Sequence, residues 1–225
     1  MKKFVVLDVE GASICRPYNV GYVVTDKHGN IYHSRSVAIH PCIMENLQRK
    51  ALVGCEEMTH KNISEVESDC MRKYEHFFSI EEFRKVFMND MEKFGIKTIW
   101  AYNCTFDKGA MKRLFLDCDE NFTEKFEWLD IMTAILFTKL LTKKYVKFCR
   151  KNGFVTEKGN IQTKAEVVYR YLTGNVEFVE EHTGLADVMI EKEILVSAYK
   201  TRKKIHGEVV VPWKRLRDFC EENSI

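Results

Sequence analysis

The sequence predicts an α/β fold, a mixed five-stranded sheet with helices on both faces. Three observations carry this. Residues 3–9 (KFVVLDV) form a nearly continuous apolar run, as in a central strand covered on both sides. Residues 18–26 and 31–39 are β-branched and aromatic and are joined by Lys27-His28-Gly29-Asn30, the composition of a hairpin turn. Further on, helical periodicity alternates with the short strand-like runs 97–102 (KTIWAY) and 127–131 (EWLDI).

Taken in order, the first three strands form an antiparallel meander. A helical excursion over about 43–94 comes next, containing IMENLQRKAL and SIEEFRKVFMNDMEKF. Ser79 with Glu82 three residues later gives the second of these a capping box. The stretch 54–75 has no clear periodicity. Residues 97–102 supply a fourth strand, parallel to the first, and NCTFDKGAMKRLFL a helix with Met111, Leu114 and Phe115 on one face. A short edge strand at 127–131 precedes helices around 131–141, 143–151, 163–172 and 185–204, with Gly153 and Gly174 at C-terminal caps. A basic extension covers about 200–225. No repeat or domain boundary interrupts the chain, so the 225 residues read as a single domain.

Composition narrows the function classes. A hydrophobic fraction of 45% and a charged fraction of 30% are those of a globular chain and exclude compositional disorder. The net charge is only +2, so any nucleic-acid binding must come from local basic patches. No apolar run approaches the ~20 residues of a membrane span, and Asp8 interrupts the N-terminal apolar run too early for a signal peptide. A cytoplasmic location without membrane partners is the expectation. The eight cysteines include no CxxC pair and read as reduced thiols, and Cys55, His60, Cys70 and His76 match no common zinc spacing.

Three acidic motifs carry chemistry. Asp8 and Glu10 lie two apart near the end of the first strand, so their side chains share one face while Val9 takes the other. Either a divalent cation offsets their repulsion or the strand ends at residue 7 and both acids are solvated. Asn103 and Asp107 open the helix after the fourth strand, at the strand end where α/β sheets gather ligands. There, Asn103 or Thr105 also suits a helix cap and Asp107 the helix dipole. In His182-Thr183-Gly184-Leu185-Ala186-Asp187, Thr183 suits an N-cap, Asp187 the first turn, and His182 a preceding loop where an imidazole could accept a proton. Asp130 is a rival acid that equally suits a cap. Lys200, Arg202, Lys203, Lys204, Lys214, Arg215 and Arg217 could guide phosphates or form a solvated face, and Tyr102 could stack on a base or sit in the core.

Asp-x-Glu ending strand one, Asn-x-x-x-Asp opening a middle helix and His-x-x-x-x-Asp opening a late helix occur in that order. The pattern resembles the DEDDh exonucleases of the DNA polymerase III epsilon-subunit (DnaQ-like) superfamily, whose relatives include ribonuclease T and oligoribonuclease. The likeness spans residues 4–198, and the wording around the motifs is most similar to small stand-alone members carried by phages and mobile elements. Gly11 stands where that family commonly has Thr, keeping the backbone N–H and supplying no hydroxyl.

The resemblance implies a ribonuclease H-like fold and 3′→5′ hydrolysis of terminal phosphodiesters in single-stranded nucleic acid, DNA ranked ahead of RNA, releasing nucleoside 5′-monophosphates. It implies two Mg²⁺ or Mn²⁺ ions held by Asp8, Glu10, Asp107 and Asp187, ions that suit an all-carboxylate set. His182 would be the general base, and Gly11, Ala12 and Asn103 would hold the 3′-terminal nucleotide. An RNA-trimming enzyme of the ribonuclease T type and a catalytically silent nucleic-acid-binding module are the alternatives. No segment for a polymerase or sliding clamp is recognised.

Overall fold

The computed structural model describes residues 2–11, 17–39, 77–180 and 183–224. The first expected helix, the 54–75 stretch, the Cys55/His60/Cys70/His76 set, Ala12 and His182 lie outside the described residues. Cys104, Cys118, Cys149 and Cys220, the described cysteines, are free thiols. No helix among the described residues is long and apolar enough to cross a membrane.

The sheet is mixed and contains β1 (Lys3–Gly11), β2 (Pro17–Asp26), β3 (Ile31–Ile39), β4 (Phe77–Phe78), β5 (Thr98–Ala101) and β6 (Glu127–Asp130), in the order β4-β3-β2-β1-β5-β6. The meander is as expected: β1 pairs antiparallel with β2, and β2 with β3. β5 runs parallel to β1, and β6 parallel to β5 at the edge. The sheet has six strands where the sequence predicts five. The additional β4 is two residues long, too short to show an alternation, and pairs with Ala38 and Ile39.

Of the seven α-helices among the described residues, six answer to helices expected from the sequence and the last does not. The first, α1 (Ile80–Phe94), begins with the expected capping box, in which Ser79 Oγ accepts from the Glu82 N–H and a Glu82 carboxylate oxygen from the Ser79 N–H. After it come α2 (Thr105–Phe115), α3 (Ile131–Ile135), α4 (Lys143–Lys151), α5 (Ala165–Thr173), α6 (Gly184–Tyr199) and α7 (Pro212–Glu222). The helix expected over 131–141 is α3 continued by a π-helical turn, Leu136–Leu140. The one expected over 185–204 ends earlier, at Tyr199. The basic extension contains α7, which starts with Pro212 at a position where a missing N–H costs nothing.

Alternation along β1 divides the core in two. Val5, Leu7 and Val9 face Phe83, Phe87 and Met91 of α1 and Met111 and Leu114 of α2. Phe4 and Val6 face Ile131 and Ile135 of α3, Tyr145 of α4, Val168 of α5, and Val188 and Leu195 of α6. Helices therefore cover both faces, as the apolar run predicts. On the first face Asp90 of α1 accepts hydrogen bonds from the Tyr22 hydroxyl (2.6 Å) and Arg35 Nε (3.0 Å), fixing that helix to the meander.

Helix α6 sits against the sheet by a contact between two glycines. A Cβ on Gly21 of β2 would lie 2.1 Å from the Gly184 carbonyl carbon, and a Cβ on Gly184 would lie 2.7 Å from the Gly21 nitrogen. Backbone meets backbone, which only glycine permits. The buried Asn19 clamps the contact: its Oδ1 accepts from the Gly184 N–H (2.9 Å) and its amide nitrogen donates to the Val37 carbonyl (2.8 Å). Gly21→Ala should therefore cost at least the ~1–3 kcal/mol typical of an overpacked core, measured by urea unfolding. A loss below about 0.5 kcal/mol, the range of an ordinary surface change, would show that the contact is slack.

Candidate metal centre

In the β1–β2 register Asp8 stands opposite Gly21, and Glu10 opposite Asn19. Gly184, resting on Gly21, is three residues before Asp187, and residues three apart share a helix face. The contact that seats α6 thus brings Asp187 to the face of β1 that carries Asp8 and Glu10. Each of the three offers a carboxylate oxygen, and these oxygens all lie within 4.8 Å of one another. Thr183 is the N-cap, its Oγ1 accepting from the Ala186 N–H, and Asp187 is in the first turn, both as expected.

Asp107 arrives from the other side of the strand. β5 stops at Ala101, so its pairing with β1 does not extend to the Val9 N–H. Asp107 Oδ1 accepts that N–H at 2.9 Å, which fixes this carboxylate to the residue between Asp8 and Glu10. Asn103, in the turn between β5 and α2, has a left-handed backbone (φ 59°), a conformation that asparagine tolerates better than most residues. Neither Asn103 nor Thr105 caps α2: the N-cap is Cys104, with no side-chain cap. Gly11 ends β1, where the pairing register shifts.

The rival acid has a structural task. Asp130 Oδ1 accepts from the Thr133 N–H, capping α3, and its Oδ2 accepts from the Cys104 N–H at 2.9 Å. Tyr102 is likewise occupied at its hydroxyl, which donates to the Thr163 carbonyl at 2.6 Å.

Two further acids join the group. Glu191, one turn beyond Asp187 on α6, is buried, and Glu180 is close enough to raise the pKa of both Asp8 and Glu191. The i, i+4 spacing from Asp187 is a signal that could have found Glu191; Glu180, in a loop, offers none. Burial, then repulsion from Asp107, Glu10 and Asp187, pushes the Asp8 carboxyl well above the usual carboxylate range. Burial dominates at Asp107 too, outweighing the Val9 N–H that favours its ionised form. Burial raises Glu191, with Asp8 and Asp107 adding to it.

Asp8 Oδ2 and Glu191 Oε2 are buried without a hydrogen-bond partner. Buried acceptors with nothing to accept cost free energy until a donor or cation arrives. The all-oxygen set of Asp8, Glu10 and Asp187 fits a metal ion, and hard divalent cations suit such donors best.

The raised carboxyls give the metal-free protein a definite pH dependence. Each keeps its proton in the folded chain after the unfolded chain has lost it, so stability falls as pH rises from near the ordinary Asp value of 3.8 towards the raised folded value. The metal-free thermal midpoint should therefore drop as pH rises above about 4, the ordinary carboxyl value, and Mg²⁺ or Mn²⁺ should restore more of it at the higher pH. Asp8→Asn should blunt both effects. A midpoint indifferent to metal at every pH would count against a cation site.

Neither a scan against protein-family models nor a search of curated proteins returned a match for this chain.

Proposed function

We propose that the chain is a metal-dependent 3′→5′ exonuclease with a ribonuclease H-like fold, acting on single-stranded nucleic acid. The observation that carries this reading is the convergence of Asp8, Glu10 and Asp187 within 4.8 Å, with Asp107 fixed to the intervening Val9. Those are the four acids that the resemblance to DEDDh exonucleases singles out. They come from three separate elements to one end of the sheet, at a cost in repulsion that an ordinary stability role does not explain.

Asp8, Glu10 and Asp187 would hold one divalent ion, with Asp8 shared and Asp107 contributing to a second. When bound, Mg²⁺ or Mn²⁺ would neutralise charge on the attacking and leaving oxygens of an in-line displacement. The chain's own groups do the rest. His182, two residues before Gly184, takes a proton from the attacking water at an imidazole nitrogen. Backbone at Gly11 and Ala12, with the Asn103 side chain, holds the terminal nucleotide so that its phosphodiester faces the acids. DNA ranks ahead of RNA as substrate on the resemblance alone.

A 5′-labelled single strand should shorten in one-nucleotide steps with Mg²⁺ or Mn²⁺, and a 3′-blocked strand should stay intact. Asp8→Asn should abolish nearly all of this. Matched DNA and RNA strands rank the two sugars. Cuts within a circular single strand, or full activity in excess chelator, would overturn the reading.

His182→Ala should lower the single-turnover rate by roughly 10²–10⁴-fold, the usual worth of a positioned general base. Metal binding, read as the metal-induced rise in thermal midpoint, should be unchanged, because His182 is not a ligand in this scheme. A variant that keeps more than about a tenth of the rate removes His182 from the mechanism.

A further inference from the structure

An open groove of about 1150 Å³ is lined in part by Asn103, in the turn between β5 and α2 that delivers Asp107. Glu180, the acid whose charge is felt at Asp8, also lines it. Trp213 and Arg217 of α7 and the lysines Lys158 and Lys164 are among its other lining residues. The volume exceeds the ~300–1,000 Å³ of sites for single drug-sized molecules. A chain of several units fits that size better than one small ligand.

The groove is built rather than incidental. Its wall is a tight turn over 154–162, closed by the Val155–Ile161 bridge, by the Thr156 N–H donating to the Asn160 carbonyl (2.9 Å) and by the Gln162 N–H donating to the Phe154 carbonyl (3.1 Å). The returning arm is tethered twice, by the Tyr145 hydroxyl donating to the Gln162 carbonyl (2.7 Å) and the Tyr102 hydroxyl to the Thr163 carbonyl (2.6 Å). Lys158 and Lys164 are exposed on this fixed wall. Trp213, also lining the groove, is 46% exposed, and the Arg217 guanidinium sits 5.4 Å from its ring centroid. The nearest acids to Arg217, Asp218 and Glu221, are 3.9 and 3.8 Å away in exposed pairs, which are weak and readily exchanged for a phosphate.

We infer that this groove binds single-stranded nucleic acid, with Trp213 as a stacking platform for a base and Lys158, Lys164 and Arg217 as phosphate contacts. Three cationic side chains and one exposed aromatic match what sequence-tolerant strand binding requires, since every base has a π-face and every linkage a charge. A peptide of acidic residues would meet the charges and leave the indole without a partner. A duplex would keep its bases stacked on each other and unavailable to Trp213. The inference deepens the exonuclease reading and rests on it for one point, that the 3′ end lies at Asn103 and the strand runs outward to Trp213.

The test separates the two readings by measuring binding without cutting. Anisotropy of a fluorescein-labelled 12-nucleotide strand is recorded with the metal-free protein, alongside hydrolysis of the p-nitrophenyl ester of thymidine 5′-monophosphate with Mn²⁺. The ester carries no further nucleotide to place on Trp213. Trp213→Ala should weaken strand binding by about 5–100-fold, the measure of one base–aromatic stack. Indole fluorescence should be quenched by the strand in the wild type and much less in that variant. Lys158→Ala, a surface change that does not endanger folding, should reduce the slope of log affinity against log salt by about 0.7, one phosphate contact. Ester hydrolysis should be unchanged in both variants. Strand binding within twofold of wild type in both variants would overturn the groove assignment. So would equal competition by a polyglutamate peptide, or ester hydrolysis falling in step with strand binding. If the wild type hydrolyses neither substrate while Trp213→Ala still loses the strand, the exonuclease reading fails and the groove stands.

Discussion

Gly184 lies against Gly21 with no room for a methyl group on either, and the position of every acid contributed by α6 depends on that contact. Asp8 is the register partner of Gly21, so the depth at which α6 settles sets the distance from Asp187 to Asp8. Any side chain at Gly21 would lift the helix and open the triad. The Asn19 amide fixes the other coordinate, since it binds the Gly184 N–H on one side and the β3 backbone on the other. One strand pair therefore determines both where the helix begins and which of its residues look at β1. Thr183 then sets the phase of the first turn by capping it.

Such a centre works against stability, and the surrounding structure must carry it. Asp8, Asp107 and Glu191 are all pushed towards the protonated state, chiefly by burial. Their shared neighbourhood is bordered by two apolar cores, one on each face of β1, which hold the strand while its end carries repelling charge. Local strain of this kind persists where the rest of a fold over-determines the geometry. The left-handed Asn103 belongs to the same pattern, standing in the turn that delivers Asp107.

Much of this is legible in the sequence, and the failures have physical reasons. The alternation that puts Asp8 and Glu10 on one face and Val9 on the other is a property of any strand, and Val9 is indeed in the opposite core. The capping box at Ser79 and the N-cap at Thr183 are local and readable for the same reason. Glu191 escapes a sequence reading because its importance depends on burial against β1, although its spacing from Asp187 marks the shared face. The groove cannot be read at all: Lys158, Trp213 and Asn103 are distant in sequence and meet only through tertiary packing. The basic tract stands out for its charge, yet of its members only Arg217 lines the groove, because α7 turns Lys214 and Arg215 elsewhere. The helix itself is not among those expected from the sequence, although Pro212 and the apolar spacing of Trp213, Leu216 and Cys220 mark it.

Asp107 and Asp130 show how hydrogen bonding separates acids that sequence alone treats alike. Asp130 ends one parallel strand and Asp107 follows another, both are buried, and burial raises both. Asp130 has each of its oxygens taken by a backbone N–H, from Cys104 and from Thr133, so it joins the start of α2 to the start of α3. A carboxylate spent in this way has little left to offer a cation. Asp107 commits Oδ1 to Val9, an anchoring that aims the group at the strand end where Asp8 and Glu10 project. The same bond ties α2 to β1 where the β5 pairing has run out, so loss of the Asp107 carboxylate would leave the Val9 N–H without its partner as well as removing a charge. The structural role of this residue through one oxygen and the chemical role proposed for the carboxylate as a whole are therefore not separable by deletion, and an amide replacement that keeps an acceptor at Oδ1 is the informative change.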